Sequence, residues 1–221
     1  MTYLNDKAHE KYPNCFPKNP VSFDDGHLGG TNTFGDPATY HLPHTWSYLI
    51  EKHNIKSMID VGCGFGYALQ FISKLYYNVT TFGIEGSAKV VDLTLCPGKV
   101  MCHDYTTGPY VPNCEIDLGW STEFVEHVEP RYVPNFMATF NKCRRVVITY
   151  ADVGQTGHHH VNENCESYWI HTFESYGFKY DNHETEQIRS CARNDMEEVR
   201  RLHPGNHMFH VVDRSLLFEK I

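Results

Sequence analysis

The chain has 221 residues, 41% hydrophobic and 21% charged, the composition of a soluble globular protein and the length of one α/β domain with its own core. No apolar run reaches membrane-spanning length and the N-terminal stretch has no apolar h-region, so neither a membrane partner nor a secretion signal is expected. A net charge of −8, with basic doublets only at Arg144-Arg145 and Arg200-Arg201, argues against long nucleic acid and favours a small or uncharged acceptor.

Residues 1 to about 40 are rich in Pro, Gly, Asn and Asp without sustained periodicity, and are expected as an irregular arm or lid ahead of a single domain over 41–221. Thr39 to His53 reads as a helix, with Tyr40, Leu42, Trp46, Leu49 and Ile50 loosely along one face. Strand and helix then alternate. Strands are predicted near 57–61, 79–85, 99–103, 115–121 and 144–150, and helices near 66–76, 130–141 and 165–177. The chain closes with the segment Phe178 to Thr185, a helix over about 186–202 and a last strand at 215–221. Such alternation predicts a parallel sheet with helices on both faces, its ligands lying beyond the carboxyl ends of the strands where the strand order reverses. The eight cysteines contain no C-x-x-C pair, which excludes zinc-finger spacing and predicts reduced thiols in a cytoplasmic setting. Histidine is over-used, with fifteen copies, three of them consecutive at His158-His159-His160.

The most informative stretch is Met58-Ile-Asp-Val-Gly-Cys-Gly-Phe-Gly-Tyr67. A strand that turns sharply into a helix beneath a ligand needs residues without a Cβ, and the new helix aims its N–H groups at what is bound. A dinucleotide fingerprint would set its third glycine at position 67, which is Tyr67, so a nicotinamide oxidoreductase is disfavoured. A second apolar strand, Val79 to Glu85, ends in an acid nineteen residues beyond Gly66, where a carboxylate can accept both hydroxyls of a ribose. The D-x-G-x-G-x-G run resembles motif I of the class I S-adenosylmethionine-dependent methyltransferases. That resemblance implies a Rossmann-like α/β fold with a seven-stranded, mainly parallel sheet in the order 3-2-1-4-5-7-6, closed by an antiparallel last pair. It also implies S-adenosylmethionine as cofactor. Asp60, Gly62, Cys63, Gly64 and Gly66 would then lie along its methionine part and Glu85 on its ribose. Asp104, after the third strand, would accept from the adenine amino group, and Ser121 ends the fourth strand beside them.

After the fourth strand, Glu123, Glu126 and His127 are spaced i, i+3, i+4, which on a helical turn puts all three on one face. Two adjacent carboxylates repel unless a cation or proton lies between them, and with an imidazole they suit Mg²⁺ or Mn²⁺. A metal-free acceptor pocket lined by the histidine is the alternative. After the fifth strand comes Gly157-His-His-His-Val-Asn162, where a histidine can complete the set. The pattern resembles metal-dependent methyltransferases of the ribose 2′-hydroxyl at small-RNA ends and the quinone-pathway O-methyltransferases. The resemblance implies metal ligation by Glu123, Glu126, His127 and one of His159 or His160, with His160 favoured, and an ion that holds two vicinal hydroxyls. A spare imidazole, His158 or His159, would take the proton, with His127 also facing the acceptor. His27 to Thr31 and Gly35 to Thr39 are expected to fold over the cofactor.

Three stretches together look like one subgroup of viral and bacterial methyltransferases: the Gly-Gly…Gly-Asp-Pro-Ala-Thr arm, Glu-Phe-Val-Glu-His-Val, and Gly-His-His-His-Val-Asn with Tyr168-Trp169-Ile170. They resemble most narrowly the methyltransferase domains of multidomain glycan-building proteins of chloroviruses. That implies O-methylation of a terminal deoxyhexose such as rhamnose, in the host cytoplasm, fused to or beside glycosyltransferase domains. The alternatives are a catechol or quinol acceptor, an RNA-terminal ribose, and a cofactor-binding module without catalysis.

Overall fold

The computed structural model describes residues 21–23, 26–28, 32–34, 42–202 and 209–221. Of the expected arm, Gly35 to Thr39, and Tyr40 from the expected first helix, lie outside the described residues. Strands β1 (Val21–Phe23) and β2 (Asn32–Phe34) pair antiparallel, with the short turn Gly26–Leu28 between them in sequence.

The main sheet contains β3 (Ser57–Val61), β4 (Thr80–Glu85), β5 (Val100–Cys102), β6 (Ile116–Ser121), β7 (Cys143–Ile148), β8 (Phe178–Tyr180) and β9 (Leu216–Lys220). Its spatial order is β5-β4-β3-β6-β7-β9-β8, which is 3-2-1-4-5-7-6 when β3 is counted as the first strand. The first five are parallel neighbours, and β9 runs antiparallel to both β7 and β8. This is the Rossmann-like class I methyltransferase arrangement expected from the glycine motif.

Among the described residues, seven helices clothe the sheet: α1 (Pro43–Lys52), α2 (Tyr67–Leu75), α3 (Ala88–Asp92), α4 (Val133–Phe140), α5 (Glu166–Ser175), α6 (Asn182–Leu202) and α7 (Phe209–Arg214). Side chains alternate along each strand, so neighbouring residues feed opposite cores. Met58, Leu118, Trp120, Val147 and Leu217 join α1, α2, α6 and α7 in one cluster. Ile59, Val61, Val146, Ile148, Leu216 and Phe218 join α4 and α5 in the other. Both faces of the sheet are therefore buried, which is why the central strands read as near-continuous apolar runs. In the second core Phe173 stacks on Phe218 with ring centroids 4.1 Å apart.

The boundaries moved for identifiable reasons. α1 starts at Pro43 rather than Thr39, because proline needs no N–H partner in a first turn. The fifth strand stops at Ile148, two residues before Tyr150. The last long helix starts at Asn182, four residues earlier than expected. α3 and α7 are helices of five and six residues, too short to carry a readable period. No described helix is long and apolar enough to cross a membrane.

The start of α1 is capped from a distance. Asp195, on α6, accepts from the His44 N–H at 2.8 Å, the Thr45 N–H at 3.0 Å and the Thr45 hydroxyl at 2.6 Å. With Leu42 at its N-cap, α1 has no local side chain to do this. Asp195→Ala is expected to cost about 1–3 kcal/mol by stranding these buried donors, measured as a lower midpoint in urea unfolding.

Candidate active site

The loop after β3 is built around a close approach. Gly62 has φ +73°, and a Cβ there would meet the Phe124 ring at 2.7 Å. Only glycine fits both the left-handed backbone and the contact. The Gly62 and Cys63 N–H groups donate to the Ile84 carbonyl at 2.9 and 3.0 Å, tying the loop to the end of β4. Glu85 then braces it from below: one carboxylate oxygen accepts from the Gly64 N–H and the other from the Ser87 N–H, each at 2.9 Å.

Asp60 lies 5% exposed in the same place. Burial, and then the Glu85 charge, pushes its carboxyl up to about 8. Cys63 packs beside it, and burial raises its thiol. Asp104 follows β5 as expected. One of its oxygens accepts from the Thr106 N–H at 2.7 Å, and the other lies 3.2 Å from His27 Nε2. Despite partial burial, these partners hold its carboxyl below the usual range. Ser121 is used differently: its hydroxyl donates to the Val61 carbonyl at 2.8 Å, fastening β6 to β3, and it does not line the cavity. Gly66 also stays out of the lining and serves as the left-handed residue that starts α2.

The segment after β6 is not the regular helical turn its spacing suggested. Only Val125–His127 forms a short 3-10 turn, and Glu123 sits before it at φ +52°. Glu123 is not part of the cluster that the other two join. Its carboxylate lies 3.7 Å from Nδ1 of His210, on α7, and its N–H donates to the Thr149 hydroxyl at 2.8 Å.

Glu126, His127 and His160 do converge: one ligand atom from each lies within 4.8 Å of the others. Glu126 is 1% exposed, and its Oε2 has no hydrogen-bond partner among the described residues. Burial first, and the Glu123 charge second, drives its carboxyl well above the usual range. The two imidazoles are oriented by backbone. Nδ1–H of His127 donates to the His159 carbonyl at 3.3 Å, and Nδ1–H of His160 donates to the Gln155 carbonyl at 2.8 Å. In a neutral ring so oriented Nε2 is left bare, the form that ligates a metal. The His160 ring lies so close over Gly157 that a Cβ there would overlap it. His158 and His159 are exposed, and His159 has φ +54°. A buried carboxylate with one unpartnered oxygen, clustered with two imidazoles, suits a divalent cation.

A single cavity of about 450 Å³ joins the two ends. Asp60, Gly62, Gly64, Glu85 and Asp104 line one side; Glu123, His127, His158, His159, His160 and His210 line the other. Trp46 and Trp120, in edge contact at 6.3 Å, belong to its wall, and His27 and Leu28 close over it. Two buried carboxylates under a glycine turn suit a guest that carries positive charge and a diol. His210 escaped the sequence reading because nothing around it is periodic.

Residues 59–149 match the family described as a methyltransferase domain. No curated protein matches the chain in sequence. Among solved structures, the methyltransferase domain of bacterial CtHen1-C is similar over 83% of this chain and 98% of its own, with a TM-score of 0.56 and 14% identity. The plantazolicin methyltransferase BpumL, solved with S-adenosylhomocysteine, is similar over 84% of this chain and 86% of its own, with a TM-score of 0.54 and 14% identity. The mitomycin 7-O-methyltransferase MmcR gives a TM-score of 0.51 at 12% identity, over 67% of this chain and 50% of its own. Residues 59–149 thus carry a methyltransferase domain, on a class I methyltransferase fold.

Two outcomes follow for the methyltransferase. Gly62→Ala is expected to abolish S-adenosylhomocysteine binding in calorimetry, because the added methyl both strains the loop and strikes Phe124. Asp60 binds its proton more tightly when folded than when unfolded. Stability of the ligand-free protein should therefore fall as pH rises from its ordinary 3.8 toward its folded value of about 8. Asp60→Asn is expected to flatten that decline in thermal melts and, in the same variant, to weaken S-adenosylhomocysteine binding.

Proposed function

We propose that the methyltransferase moves a methyl group from S-adenosylmethionine to a hydroxyl of a vicinal diol, with a divalent cation held by Glu126, His127 and His160. One observation carries this: Glu126, a buried carboxylate with one oxygen unpartnered among the described residues, clusters with two imidazoles whose Nδ1 protons are spent on backbone carbonyls, and both imidazoles line the cavity that also holds the glycine loop. A carboxylate buried in that way costs several kcal/mol unless a proton or cation answers it.

The chain's own residues supply positioning. Asp60 would face the cationic methionine end of the cofactor, Glu85 would accept from the ribose hydroxyls and Asp104 from the adenine amino group. Trp46 and Trp120 bound the cavity with apolar surface, which strengthens every charge interaction inside it. Held by these residues, the cofactor would present its methyl carbon to an acceptor on the histidine side for in-line transfer. A divalent ion, when bound, lowers the pKa of the acceptor hydroxyl and orients the diol. Glu123, expected as a fourth ligand, would join by turning from His210.

A carbohydrate is the acceptor that best suits an acidic protein with a diol-holding site, and the resemblance to chlorovirus glycan-building proteins narrows it to a terminal deoxyhexose. Catechols and RNA-terminal riboses carry the same diol and are the competing acceptors. In a screen of methyl rhamnoside, catechol and short RNA ends, methyl transfer to the sugar should require added Mn²⁺ and vanish with EDTA. Glu126→Gln should lower that rate by about 100-fold or more with S-adenosylhomocysteine binding unchanged. Full activity in EDTA would remove the cation from the proposal.

A further inference from the structure

We infer that Asn162 is a positioning residue for the cation site, holding the histidine loop against the acidic turn so that His160 meets Glu126 and His127; the inference rests on the metal-assisted function proposed above. The two segments come from different strands, β6 and β7, and no element of regular structure joins them. What joins them is a set of four hydrogen bonds. The Val161 and Asn162 N–H groups both donate to the Glu126 carbonyl, at 2.9 and 3.0 Å. The Asn162 side-chain amide donates to the Val125 carbonyl at 3.2 Å. Returning the contact, His127 donates to the His159 carbonyl.

Asn162 is the only one of these loop residues whose side chain takes part, and it is 2% exposed. Its own carbonyl oxygen accepts from the Asn164 amide at 2.7 Å, which settles the orientation of the Asn162 amide and aims its NH₂ at Val125. Asn164 is anchored in turn, its N–H donating to the Ala151 carbonyl just past β7 at 3.1 Å. The chain of contacts therefore runs from the sheet, through two asparagines, to the backbone on either side of the Glu126 carboxylate.

The clamp also answers strain stored in the loop. His159 is in the left-handed region, which costs a non-glycine residue about 1–3 kcal/mol and persists only where the surroundings over-determine it. His160 must also fold back over Gly157 with its Nδ1 on Gln155. Removing the Asn162 amide strands the buried Val125 carbonyl and frees the loop. The Glu126 carboxylate stays on its own turn, while the imidazole nitrogen opposite it loses its place. Ligation depends on the distance between the two, whereas the cofactor end of the cavity, braced by Glu85 and β4, does not depend on the loop.

Two ligands therefore read the two ends separately on the full chain: Mn²⁺ by loss of the free-ion electron paramagnetic resonance signal, and S-adenosylhomocysteine by calorimetry. Asn162→Ala is expected to weaken Mn²⁺ by about 10- to 100-fold while S-adenosylhomocysteine affinity stays within about two-fold. Asn164→Ala, which only unseats the Asn162 amide, should weaken Mn²⁺ several-fold with cofactor binding intact. If the unaltered protein takes up no Mn²⁺, the metal-assisted function falls and this inference with it. If the unaltered protein binds Mn²⁺ and both variants bind it equally well, Asn162 has no positioning role and the proposed function stands. Should Asn162→Ala lose both ligands through misfolding, Asn164→Ala decides, and unchanged Mn²⁺ affinity there overturns the assignment.

Discussion

β3 and β6 lie side by side in the sheet although 54 residues separate the end of one from the start of the other, because the chain leaves β3 toward β4 on one side and returns to β6 on the other. The two loops that follow these strands diverge, and the gap between them cannot be filled by the sheet itself. Ser121 fastens the strands through Val61, and just beyond both strand ends the Phe124 ring lies against Gly62. The methyltransferase therefore has no slack between its cofactor loop and its acidic turn. A shift in either is felt by the other.

Charge explains what this crevice is for. Asp60, Glu85 and Glu126 are each less than one-tenth exposed. Water cannot solvate them well, and burying charge is costly unless something answers it. The protein answers Glu85 with two backbone N–H groups, whereas Asp60 and Glu126 hold their protons far above the usual carboxylate range. A methyltransferase whose cofactor carries a sulfonium and an ammonium group uses such an environment well, since each positive guest relieves a standing electrostatic penalty. The same logic at the far end is what makes a divalent cation a natural second guest.

Strain is concentrated in the same place. Of three non-glycine residues with positive φ among the described residues, Glu123 and His159 both line the cavity. Their cost is offset by rigid surroundings: Thr149 holds the Glu123 N–H, and the cross-hydrogen-bonded loop holds His159. The two halves of the structure thus divide their work. The apolar cores on either face of the sheet supply stability, and the loops at its carboxyl edge spend part of it on geometry.

How much of this was legible in the chain follows from the range of the forces involved. Strand and helix alternation, the glycine turn, and the acids ending β3 and β4 are local patterns, set by pleat, period and steric allowance within a few residues, so the fold and several residues that line the cavity could be read in order. Clustering of Glu126, His127 and His160 could be read in part, because strand order says which loops are neighbours. Spacing alone went astray at Glu123, where one left-handed residue replaces a helical turn and sends the carboxylate to His210. Ser121 likewise stands at the strand end expected of it, but its hydroxyl is consumed by a neighbouring backbone carbonyl. The pairings of Asp195 with the start of α1, of His210 with Glu123 and of Asn162 with Val125 join residues 150, 87 and 37 positions apart. No local pattern encodes such contacts: they exist only once both cores have packed and brought distant backbone into hydrogen-bond range.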